Sequence, residues 1–176
     1  MFDFLKILIH FFDSNKIPYI LSGSVAMSTY TVPRFTRGFD FVVHLKLQDV
    51  ANLMEQFNEG YYCNEESVRE AVNKKGMFNI IDHKSGYKAD FVILKDEPYR
   101  QNEFSRKRLI DFLDMKLYIV SPEDLLLSKL IWIQELQSGV QMEDIKALSL
   151  LPELDRAYIY EWVNTLKLNT FNLLNE

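Results

Sequence analysis

Ser22-Gly23-Ser24-Val25-Ala26-Met27, followed by Pro33-Arg34-Phe35-Thr36-Arg37-Gly38-Phe39-Asp40-Phe41-Val42-Val43, is the stretch on which the reading of this chain turns. A small-residue turn opens an apolar helical segment, so its backbone N–H groups are left free to hold an anion such as phosphate. An Arg-x-Thr element then leads into an apolar strand that carries a single carboxylate. Asp40, between Phe39 and Phe41, is costly there unless a metal ion or hydrogen bonds compensate it. A phosphate cradle beside a strand carboxylate suggests metal-assisted phosphoryl chemistry. Gly38 stands two residues before Asp40 on the same strand face, where a second carboxylate would complete the pattern.

Working outward, 176 residues fit one folding unit, able to bury roughly 70% of its unfolded surface. Apolar residues make up 48% and charged residues 26%, as in an ordinary globular protein. The net charge of −5 argues against a general positive coat for nucleic acid. A single cysteine, Cys63, allows neither an internal disulfide nor a cysteine-based zinc site, and fits a cytoplasmic setting. His10, His44 and His83 show no metal-ligand spacing with one another or with Cys63. The apolar run Phe2 to Phe12 is interrupted by Asp3, Lys6 and His10, and is too short to cross a bilayer. No small-residue cleavage site follows it, so it reads as a core helix rather than a signal peptide, and no membrane partner is expected.

Helix is expected over 1–15, a short extended piece over Tyr19 to Leu21, a short helix over Val25 to Tyr30 and a buried strand over Phe39 to Leu45. Leu47 to Phe57 has helical spacing, and Glu65 to Val72 reads as a further short helix. Met77 to Asp82 and Tyr87 to Leu94 form a hairpin, with Gly86 at a turn position needing positive φ. Pro98 to Arg108 is polar and basic without a clear period, and Leu117 to Val120 is a last short strand. Ser121-Pro122-Glu123-Asp124 supplies an N-cap, a first-turn proline and a capping acid. Helices then run over Pro122 to Leu136, Gln141 to Leu150 and Asp155 to Leu166. Mixed elements followed by helices alone predict an α+β core over 1–118, with a helical C-terminal portion over 119–176 packed on it.

Three elements, Ser22-Gly23-Ser24, Arg34-Phe35-Thr36-Arg37-Gly38-Phe39-Asp40 and Lys88-Ala89-Asp90-Phe91, together resemble the nucleotidyltransferase superfamily, with its polymerase-beta-like mixed sheet flanked by helices. The likeness is greatest to minimal nucleotidyltransferases of the abortive-infection and type IV toxin–antitoxin kind. It extends to Ser121-Pro122-Glu123-Asp124-Leu125 with Lys129, and to Glu143-Asp144-Ile145, so that it covers nearly the whole chain. The resemblance implies that Gly23 and Ser24 bind the triphosphate of a nucleoside triphosphate. It also implies that Asp40 and Asp90 hold Mg2+ or Mn2+, and that Asp90 activates an acceptor hydroxyl. The acceptor would be RNA, such as a transfer RNA end, or a protein side chain, and an antitoxin partner is implied too. The family's first acid position is Gly38 here, which offers no ligand. Catalysis by the chain and a non-catalytic nucleotide-binding module both remain open on that account.

Lys129 can be read without any family. Its helical neighbours Leu125, Leu126, Trp132 and Ile133 are apolar, so its charge must snorkel or meet an anion. Asp144 is similarly flanked by apolar residues. The two form either a structural ion pair or, as the resemblance favours, a nucleotide-phosphate contact with Asp144 beside it. Arg100, Arg106, Lys107 and Arg108 read either as a solvated edge or as contacts to phosphate. Arg34 and Thr36 either fix the start of the strand or orient the phosphate-binding turn.

Overall fold

The structure, a computed structural model, describes residues 2–33 and 36–174. Its centre is a seven-stranded mixed sheet in the order β3-β4-β5-β2-β1-β7-β6. The strands are β1 Tyr19–Ser22, β2 Gly38–Val43, β3 Tyr61–Tyr62, β4 Met77–Asp82, β5 Lys88–Ile93, β6 Arg108–Phe112 and β7 Met115–Ile119. β2 runs parallel to β5, and β1 parallel to β7; the remaining pairs are antiparallel. Among the described residues the helices are α1 Phe2–Ser14, α2 Gly23–Met27, α3 Val50–Gln56, α4 Glu65–Lys74, α5 Pro98–Ser105, α6 Pro122–Glu135, α7 Gly139–Ser149 and α8 Arg156–Thr165. This is the expected α+β arrangement with helices at the C-terminal end.

The two faces of the sheet are made differently by strand alternation. On one face Phe39, Phe41 and Val43 of β2 and Ala89, Phe91 and Ile93 of β5 are buried. Phe41 stacks on Phe91 at 5.6 Å between ring centroids, and Phe91 stacks on Phe78 of β4 at 4.9 Å. The apolar N-terminal run is the helix that covers this ladder. α1 buries Phe4, Leu5, Leu8, Ile9, Phe11 and Phe12, and Phe12 meets Phe41 edge-on at 5.4 Å. No described helix is long and apolar enough to cross a membrane.

The other face carries Gly38, Asp40 and Val42 of β2 beside Lys88, Asp90 and Val92 of β5. β4 continues each row with Ile81, Asn79 and Met77. α6 stands over this face and is capped as expected, its Ser121 hydroxyl accepting the Asp124 N–H at 3.1 Å. The Met77–Ile93 hairpin also forms, with Gly86 at φ +70° and Asp82 accepting the Lys84 N–H inside the turn.

Several elements differ from expectation. The second helix begins at Gly23 rather than Val25 and stops at Met27. The helix expected over 47–57 is a 3-10 turn over Leu47–Asp49 followed by α3. β3, α5 and β6 lie where no element is legible. β6 is an edge strand paired only with β7, and its alternation is weak because most of it faces solvent. α5 buries the charged Glu103 among its apolar contacts, which hides the helical period.

Candidate active site

The open face of the sheet, α2, α5, α6 and the start of α7 enclose a cleft of about 540 Å3. Gly23 and Ser24 form one edge of it, and Asp40 lies on its floor. Residue 23 has to be glycine for two reasons. Its φ is +62°, and a Cβ there would stand 1.9 Å from Oδ2 of Asp40. The Asp40 carboxylate thus lies against the turn, where it accepts the Ser24 N–H. Water reaches Asp40 through the open mouth, but protein surrounds it on its other sides. Burial, then the adjacent Asp90 charge, raise its carboxyl above the ordinary aspartate range, while Lys129, Lys88 and the Ser24 N–H oppose the rise.

Asp40 and Asp90 are register partners on parallel β2 and β5. Neighbouring strands are about 4.8 Å apart, so the two carboxylates stand side by side on one face. Asp90 is not among the described residues lining the cleft; it sits next to Asp40 with its Oδ2 2.8 Å from Nζ of Lys88. Lys88 is in turn the register partner of Gly38. Gly38 has no left-handed φ, and a Cβ placed on it meets only the Lys88 carbonyl oxygen, at 3.2 Å. The φ at 38 therefore does not require glycine; a side chain there would point to the face that holds both acids, with the Lys88 carbonyl giving way by a few tenths of an ångström.

Lys129 reaches the cleft from α6. Its Nζ donates to Asp144 Oδ2 and to Gln141 Oε1 of α7, each at 2.8 Å, and both charged side chains are buried. The ion pair is therefore formed, and its ammonium also faces the cavity. Thr36 turns back on its own chain, its hydroxyl 3.3 Å from the Gly38 carbonyl oxygen, and is not among the described residues lining the cleft. Arg34 lies outside the described residues.

The basic run is not a solvated edge. Arg106 pairs with Asp124 at 3.0 Å and lies over the Tyr158 ring at 3.9 Å, and Arg108 approaches Glu123 at 3.5 Å. Lys107 lies over the Phe104 ring at 4.5 Å. Arg106 and Arg108 tie the end of α5 and the start of β6 to the acidic first turn of α6, and Arg106 also reaches α8. Arg100 alone of the four lines the cleft. Its Nη1 donates to Glu103 at 2.9 Å and to the Ser128 hydroxyl at 2.8 Å, and that hydroxyl donates to Glu103. Glu103 is 2% exposed, and burial pushes its carboxyl above the ordinary glutamate range. Glu103 reads in the sequence only as an acid offset by the basic run, and Ser128 belongs to no spacing pattern; the packing of α5 on α6 joins them.

Two hard carboxylate donors suit one Mg2+ or Mn2+ that keeps water or phosphate oxygens for its remaining positions. Gly38 adds no donor, and no cluster of three or more His, Cys, Asp or Glu able to hold a metal occurs among the described residues. The residues present therefore fit a single ion better than a two-ion site.

No known family profile and no curated protein matches the chain. Solved structures do. The chain is similar to the antibiotic-resistance factor ANT(2'')-Ia, with a TM-score of 0.58, 11% identity, and coverage of 93% of this chain and 89% of that one. It is also similar to an antigenic nucleotidyltransferase-like protein from Paracoccidioides brasiliensis, with a TM-score of 0.54, 15% identity, and coverage of 91% and 84%. The lincomycin-bound lincosamide antibiotic adenylyltransferase LnuA aligns with a TM-score of 0.53 and 18% identity over 84% and 95% of the two chains. The mixed sheet, the glycine turn against Asp40 and the paired aspartates are thus set in the nucleotidyltransferase fold.

Proposed function

We propose that this chain binds a nucleoside triphosphate in the cleft and transfers its nucleoside monophosphate to a hydroxyl of RNA or protein. The observation that carries this reading is that Asp40, held against the Gly23-Ser24 turn on the floor of a cleft large enough for a nucleotide, has Asp90 as its register partner on the neighbouring strand. Gly23 and Ser24 give backbone N–H groups to phosphate oxygens, which requires the Asp40 carboxylate to leave the Ser24 N–H it now occupies. Lys129 brings an ammonium to the triphosphate from the opposite wall, and Asp144 and Gln141 fix where that ammonium stands. Asp90 takes the acceptor hydroxyl's proton; the hydroxyl oxygen bonds to the α-phosphorus as the bond to pyrophosphate breaks. Asp40 and Asp90 would hold one divalent ion, whose chemistry is to offset the triphosphate's charge.

The resemblance to toxin–antitoxin nucleotidyltransferases supports an RNA acceptor, such as a transfer RNA end, and an antitoxin partner. The lincomycin-bound neighbour adds small-molecule hydroxyls to the acceptors worth assaying. Gly38 favours one other reading, a nucleotide-binding module without catalysis. Incubation with α-labelled nucleotides, Mg2+, total RNA and cell extract separates the two. Transfer by the chain, with a large gain in Gly38→Asp, supports the enzyme; nucleotide binding without transfer in either form supports the module.

A further inference from the structure

Large apolar side chains are exposed inside the cleft, and nothing in the phosphate chemistry uses them. Met77 is 59% exposed and Trp132 61% exposed, and both line the cavity together with Val92 and Val42. Val42, Val92 and Met77 form one row across β2, β5 and β4, since Val42 is the register partner of Val92 and Val92 that of Met77. This row is two residues beyond the acid row of Asp40 and Asp90, about 6.6 Å along the strands. The cleft extends this way: Val42 and Val92 line it, and Gly38 and Lys88 do not. α6 repeats the step, because Trp132 follows Lys129 by one helical turn and both face the cavity. A phosphate held between the Gly23-Ser24 turn and Lys129 therefore has an apolar shelf about one ribose away.

We infer that the shelf of Val42, Val92 and Met77, with Trp132, is the nucleobase subsite, and that it holds the base by its flat face rather than by its hydrogen-bonding edge. The inference rests on the nucleotide reading of the cleft. Val42, Val92 and Met77 carry no hydrogen-bonding side chain; of the polar side chains beyond Trp132 that line the cleft, Gln141 is engaged by Lys129 and Glu135 lies one turn further along α6. The cations near it are already engaged, Lys75 with Asp96 at 3.5 Å, Lys95 with Glu97 at 3.8 Å and Arg100 with Glu103. Every base has an apolar face, so stacking tolerates all four and favours the larger purines modestly. The donor is thus a nucleoside triphosphate of low base selectivity, with Trp132 as the side chain that contributes most to holding its base.

The test measures calorimetric affinity for ATP, GTP, CTP, UTP and inorganic tripolyphosphate, with Mg2+, on the chain, Trp132→Ala and Trp132→Phe. Trp132 is exposed, so the melting temperature of both variants should match that of the parent chain. The alanine variant is expected to lose roughly 5- to 150-fold in ATP affinity, the worth of one stacked base. Tripolyphosphate affinity should be unchanged, and Trp132→Phe should retain most of the ATP affinity. In the parent chain purines should bind more tightly than pyrimidines, by less than about tenfold. Equal ATP affinity in the parent chain and Trp132→Ala, with tripolyphosphate still bound, overturns the stacking subsite alone. One base preferred over the rest by a hundredfold or more also overturns it, in favour of edge recognition. If neither ATP nor tripolyphosphate binds, the nucleotide reading of the cleft falls and the subsite with it.

Discussion

Lys129–Asp144 and Lys88–Asp90 are the same two residue types at the same 2.8 Å separation, one joining α6 to α7 and the other within β5. Their surroundings differ. The helical pair has both side chains 6% exposed, whereas on the strands Lys88 is 47% and Asp90 20% exposed. A buried pair has lost its water on both sides, so neither member can be removed cheaply. The exposed lysine of the strand pair keeps its hydration and can leave its partner at little cost. The first pair is accordingly a fixed part of the framework that presents an ammonium to the cleft. The second is an exchangeable cation on an acid that the proposed chemistry needs free.

The largest expected effect comes from breaking the buried pair. Asp144→Asn should cost about 3–5 kcal/mol of unfolding free energy in a denaturant melt, because it leaves the buried Lys129 charge without its paired carboxylate. The double exchange Lys129→Met with Asp144→Leu should recover most of that loss while abolishing nucleotide affinity. If Asp144→Asn unfolds at the parent's midpoint, the contrast between the two pairs is lost.

Lys88→Ala should change stability by less than about 1 kcal/mol. It should also raise Mn2+ affinity roughly fivefold, the worth of about 1 kcal/mol, by removing the cation that competes for Asp90. Paramagnetic titration of Mn2+ reads this directly; weaker Mn2+ binding would mean that Lys88 supports the acid pair instead.

Glu103 lies between the two cases, being buried like Asp144 but shared between a half-buried arginine and a serine. Its carboxyl is raised by burial, so the folded state holds the proton more tightly than the unfolded state. Below the ordinary glutamate value both states are protonated and Glu103 adds no pH dependence. As pH rises through the raised value the ionised group must stay buried, and stability falls. Melting temperatures of the parent chain relative to Glu103→Gln should therefore decline from about pH 4.5 upward and level off past the raised value. An opposite slope would show that Arg100 more than compensates the burial.

Much of the framework was legible because it rests on local rules. The Ser121 cap, the Gly86 turn and the apolar run of α1 each follow from residues a few positions apart, and each is present. α5 and β6 were not legible, because their stability comes from partners distant in sequence: Ser128 for Glu103, Asp124 and Tyr158 for Arg106, and β7 for the edge strand. The site divides the same way. The glycine turn, Asp40, Asp90 and the Lys129–Asp144 stripe could be marked on the sequence. That Lys88 stands opposite Gly38, and that Met77, Val92 and Val42 form one shelf, depends on strand register. No run of residues encodes that register by itself.

Gly38 is where the strand pair meets the proposed chemistry, since a carboxylate there would compete with Asp90 for Lys88 and would add a third donor one row from the two acids, on the same face. The most direct measurement is transfer of α-labelled nucleotide, with Mg2+, total RNA and cell extract, by the parent chain and by Gly38→Asp. Transfer by both is expected, faster in Gly38→Asp by about 10²–10³-fold, the scale of one added electrostatic contact in a transition state. Intact folding of both forms with bound nucleotide and no label transferred by either would contradict it.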